Sequence, residues 1–100
     1  MLSPDSYLPQ SKPTLLVRLV EVTTSLGELY TQRHTATIEL TKARHDSYNH
    51  HSQESEAAKK RIMEQETYYL QEVVDDMDTQ ILIALEEISM LKFLIGNLDG

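Results

Sequence analysis

Between Met63 and Ile95 one spacing repeats without an error. Met63, Thr67, Leu70, Val74, Met77, Ile81, Ala84, Ile88, Leu91 and Ile95 follow one another at alternating steps of four and three. That is the spacing of a coiled-coil stripe, which holds one line of side chains against a partner helix. An earlier segment keeps the same rhythm through Leu15, Leu19, Val22, Leu26, Leu29, Arg33, Ala36, Leu40 and Ala43. A second stripe, Leu16, Val20, Thr23 and Tyr30, runs beside it, and Gly27 falls within this stripe. Gly27 marks either a close helix approach or a kink. Ser25 to Glu28 also reads as a capping box, which would break the helix near Thr24. The unbroken first stripe favours continuity.

Proline and glycine usage agrees with two long helices. Prolines occur only at Pro4, Pro9 and Pro13, and glycines only at Gly27, Gly96 and Gly100. A β domain needs turn residues far more often. Ser11 is placed to cap a helix whose first turn contains Pro13. Gly96 follows the last stripe residue, where a left-handed C-cap is expected. Between the stripes lies RHDSYNHHSQESE, residues 44–56, with no apolar periodicity. The reading is an all-α chain: an irregular tail over 1–11, then a long antiparallel helical hairpin over 12–98. Helix one spans about 13–47, the turn about 48–52 with Ser52 as the next cap, and helix two about 53–95. One continuous helix is the alternative. The hairpin is expected because it pairs the apolar start of helix one with the apolar end of helix two.

One stripe per helix is enough for a hairpin, and the outer ends carry more. Leu15, Leu16, Val17, Leu19 and Val20 face two directions, and Leu82, Ile83, Leu85, Met90, Phe93 and Leu94 extend the second arm's stripe around its helix. A helix apolar nearly all round must be covered on several sides. Two hairpins joined at their open ends would form a four-helix bundle. The expectation is therefore a homo-oligomer built on residues 15–30 and 74–95. Its interface would draw on Leu15, Leu19, Val22, Leu26, Leu29, Met77, Ile81, Ile88, Leu91 and Ile95. A complex with a different protein is the other possibility.

The formal net charge is −7, and the acidity lies late: residues 62–100 hold Lys92 against nine acids. Such a balance argues against nucleic acid as a general partner. Locally, however, Lys42, Arg44, Lys59, Lys60 and Arg61 would form a basic collar below the hairpin tip, with Tyr48 near enough to stack on a base. The competing reading is a solvated face, because Asp46, Glu54 and Glu56 stand among these bases. His45, His50 and His51 with Asp46 are metal ligands in kind, but their spacing suits a polar turn better than a zinc site. Asp75, Asp76 and Asp78 lack the glycine and distal glutamate of a calcium loop and read, with Glu64, Glu66 and Glu72, as an outward acidic face. Tyr68 and Tyr69 read as packing residues on or beside the seam.

No nucleophile–base pair, phosphate loop or nucleotide fingerprint is present, so a non-enzyme without cofactor or metal is expected. The chain has no cysteine, which excludes a disulfide framework and fits a reducing compartment. The start has no basic residues leading into an apolar run, and Ile81 to Ile95 is too short and too charged to span a bilayer. A cytoplasmic, membrane-free location is the expectation.

The segments LGELYTQRHTATIELTKARHDSYNHH, SEAAKKRIMEQETYYLQEVVDDMDTQI and EEISMLKFLIGNL together resemble small helical-hairpin accessory proteins of tailed bacteriophages. The shared pattern covers residues 25–98. It comprises a first arm with Ala and Tyr at helical spacing, a polar turn, a basic start to the second arm and a Leu-rich close. The resemblance implies an accessory role in the host cytoplasm, beside a recombinase, a single-strand-binding protein or a host factor. It assigns no functional residue. Two functions follow as expectations: an oligomeric coiled-coil adaptor that binds another protein, or a nucleic-acid accessory protein that uses the collar.

Overall fold

The computed structural model describes residues 11–99, so the expected tail over 1–11, all but Ser11, lies outside the described residues. Helix α1 spans Lys12–His50, α2 spans Glu56–Glu66 and α3 spans Tyr68–Asp99. The molecule is a rod 65 Å long and 27 by 17 Å across. Ser11 caps α1, accepting the Thr14 amide on its hydroxyl, and Pro13 sits in the first turn. No break occurs near Thr24; α1 runs through Gly27.

The two arms run antiparallel. Leu15 and Val22 of α1 are buried with Ala84 and Leu91 of α3, and Leu19, Leu26, Leu29, Ile88 and Ile95 pack around them. A second cluster joins Ala36 and Leu40 to Val74, with Leu70 against it. Every stripe residue of both arms is buried or half-buried. The second stripe is not: Leu16, Val20, Thr23, Gly27 and Tyr30 are all exposed.

If the seam residues are labelled a and d of successive heptads, the cross-arm contacts fix the sides of the hairpin. Arg18 and Glu87, both g, are joined at 2.7 and 3.2 Å. Arg44 and Gln71, both e, are joined at 2.6 Å. The e positions of both arms therefore share one side of the rod and the g positions the other. Midway along, the seam residue Arg33 reaches the e-side Asp78. This is a polar layer midway along the seam.

The connection differs from the expected 48–52 turn. Helix α1 continues to His50, and the turn covers 51–55. The seam explains the extension: Ser47 is its next position, is buried, and its hydroxyl donates to Glu66 at 2.9 Å. The His51 amide then closes the helix on the Ser47 carbonyl. Ser55, not Ser52, caps the second arm, its hydroxyl accepting the Ala58 amide at 3.2 Å. That arm is not one helix. Thr67 interrupts it with φ −105° and ψ 10°. Its hydroxyl donates to the Met63 carbonyl at 2.7 Å, a back-bond that bends helices. Yet its side chain stays in the seam, only 2% of the residue being exposed. Gly96 is not a C-cap: it has no positive φ, and α3 passes through it to Asp99.

Candidate functional site

Two surfaces remain once the seam is closed. At the tip, α1 and α2 are tied by a polar network. Glu66 accepts from Ser47 and, at 2.8 Å, from a ring nitrogen of His51. These bonds, that of His51 foremost, hold its carboxyl below its ordinary value. The rings of His50 and His51 meet edge to face at 4.9 Å. Above them, Tyr48 donates its hydroxyl to Glu56, and Lys59 lies 4.4 Å over the Tyr48 ring and 2.7 Å from Glu56. Lys59 lowers the Glu56 pKa, with a smaller contribution from Tyr48, and Glu56 in turn raises that of Lys59.

The expected collar does not form as one field. The Lys59 side chain is 11% exposed and engaged by Glu56 and Tyr48. Arg44 is half-buried against Gln71, its Nε buried without a partner. Lys42, Lys60 and Arg61 are exposed. Lys42 lies in a shallow groove with His34, Thr37, Ile38, Thr41 and His45, whereas Arg61 lines a different one with Glu64, Gln65 and Tyr68. Tyr48, the residue proposed to stack on a base, has one ring face and its hydroxyl occupied by the chain itself. Among the described residues no three His, Asp or Glu side chains are grouped to hold a metal.

The open end is the second surface. The ten residues expected at an oligomer contact, Leu15, Leu19, Val22, Leu26, Leu29, Met77, Ile81, Ile88, Leu91 and Ile95, line the seam between the chain's own arms. The apolar surface left outside belongs to their neighbours. Leu16, Val17 and Val20 of α1 are exposed, as are Leu82, Ile83, Leu85, Met90, Phe93 and Leu94 of α3, with Phe93 at 66%. Tyr68 and Tyr69 also point outward at 62% and 64%, contrary to their reading as packing residues. As b and c positions of the heptad they face away from α1, a signal already present in the numbering. The g side of the open end is polar on α1, where Arg18 and Ser25 meet Gln80 and Glu87. No described helix is long and apolar enough to cross a membrane. Comparison with protein-family models, with curated proteins and with solved structures found no match to this chain.

Proposed function

We propose that the chain is a non-catalytic coiled-coil interaction protein that assembles through its open end and presents its polar tip to another protein. The supporting observation is the row of large apolar side chains, Val20, Leu82, Ile83, Met90 and Phe93, each at least 60% exposed after the hairpin seam is filled. Large apolar side chains left exposed in such number at one end of a molecule mark an interaction surface. The tip lies at the far end of the rod, braced by the Ser47–Glu66–His51 network, and can meet a partner without disturbing the assembly. The likeness to phage hairpin proteins suggests the partner class: a replication, recombination or host protein, met in the cytoplasm. Sedimentation at micromolar concentration tests the assembly; the expected mass is a multiple of 11.5 kDa. A well-folded, soluble monomer would sink the reading.

A nucleic-acid accessory role is the second reading, supported by the exposure of Lys42, Lys60 and Arg61. It requires salt-sensitive DNA binding that weakens when Lys60 and Arg61 become alanine. It is the weaker reading, because Arg44, Lys59 and Tyr48 are engaged within the chain.

A further inference from the structure

One face of α1 is unusual for a helix in a chain of which 25% of residues are charged. Between Leu16 and Thr41 its e, b and f positions hold no Asp, Glu, Lys or Arg. Over the same length the c and g positions hold Arg18, Glu21, Glu28 and Glu39. A face meant for water would share those charges. Along the uncharged side Leu16, Val20, Thr23, Gly27, Tyr30 and His34 alternate steps of four and three, a second helix-packing line. It lies about 100° around the helix from the seam, since each residue turns the helix by about that angle. Two packing lines so placed are what a four-helix bundle asks of each helix, which has two neighbours. Within the chain this line is bare: all six residues are exposed, and a Cβ on Gly27 would meet nothing within 4 Å.

We propose that a second copy of this chain covers the e side of the hairpin with both tips at the same end, so that α1 of each copy lies along α3 of the other. This rests on the assembly reading above and adds its occupant, face and direction. Charge selects the occupant. The e side of α3 carries Asp75 and Asp78, with Glu72 and Glu86 at its rim. Laying α3 on α3 would set these acids against each other, whereas the face of α1 brings no acid at all. Only a two-fold axis parallel to the rod exchanges the arms in this way. Rotation about that axis leaves every residue at its own height. Residues level within the hairpin, such as Val22 and Ala84, are then level between copies as well. The apolar open ends meet, and His34 comes near the level of Asp75 of the partner subunit. An axis across the middle of the rod would instead lay α3 on α3 and set the apolar end of each copy against the polar tip of the other.

The absence of cysteine makes the test clean. A spin label on Gln53→Cys, in the exposed turn, reports tip-to-tip distance while sedimentation reports mass. The expected result is a dimer whose labels lie much closer than the 65 Å length of one rod. Thr23→Glu, at an exposed e position that leaves the hairpin intact by circular dichroism, should weaken the dimer at least about tenfold by setting an acid against the acid-bearing side of α3. Ser25→Arg, at an exposed g position on the opposite side, should leave the mass unchanged. A dimer with labels a rod length apart, or one that tolerates Thr23→Glu, overturns this inference and leaves the assembly reading standing. A folded monomer overturns both.

Discussion

Leu40 is buried between the arms with Ala36, Val74 and Leu70, near the tip end where the seam is otherwise thin and polar. Its truncation removes transfer energy and leaves a void that two straight helices close poorly. Leu40→Ala is expected to cost about 2–5 kcal/mol, read as a lowered urea midpoint. The polar residues nearby act through protonation instead. The Glu66 carboxyl titrates below its ordinary value of 4.5 because the ionised form accepts from His51 and Ser47. A carboxyl depressed in the folded state stabilises it fully above the ordinary value, and that contribution is lost as pH falls through the folded value. As pH falls from the ordinary carboxyl value through the lower folded value, the wild type should therefore lose more stability than Glu66→Gln does. Equal losses in the two proteins would show that the network does not bear on folding.

At the scale of elements, the caps separate what the sequence displays from what it hides. Both stripes were legible because a and d spacing is a property of the chain alone. The turn was not: Ser52 reads as the cap, and nothing in the spacing of RHDSYNHHSQESE points to Ser55 instead. The choice depends on a tertiary fact, the fit of Ser47 into the seam beside Glu66. Ser55→Ala should accordingly cost about 1 kcal/mol and Ser52→Ala almost nothing, in parallel thermal melts. The break at Thr67 was hidden for a related reason: the residue satisfies the stripe, while its hydroxyl bends the helix through a back-bond that no spacing reveals. Gly96 misled in the other direction. Glycine permits a left-handed cap, but α3 keeps its helical hydrogen bonding past that point. An alanine there meets nothing within 4 Å, so Gly96→Ala should stabilise the protein by about 0.5–1 kcal/mol, and a loss would mean the helix ends earlier.

On the scale of the whole molecule, the sequence showed that the open end has more apolar surface than one hairpin covers and which side chains make up the excess, but it assigned the oligomer contact to the seam residues instead. The a and d residues satisfy one another across the seam, and the excess lies at positions outside it, which periodicity alone treats as background. Phe93 shows the difference. It sits at an f position of α3, on the side away from α1, and is 66% exposed. An isolated hairpin would gain solubility from a charge there and lose no packing. An assembly that buries it would lose both apolar contact and the desolvated environment around it. The two cases separate by mass action, because binding that occurs only in the folded state raises the melting temperature as protein concentration rises. The wild type should melt higher at about 100 μM than at about 1 μM, since each tenfold rise in a self-binding partner adds about 1.4 kcal/mol once the site is saturated. Phe93→Glu should flatten that dependence while its helical signal at low temperature stays intact. A melting temperature independent of concentration in the wild type would mean that the open end stays bare in solution, and the apolar surplus would then need a different protein to cover it.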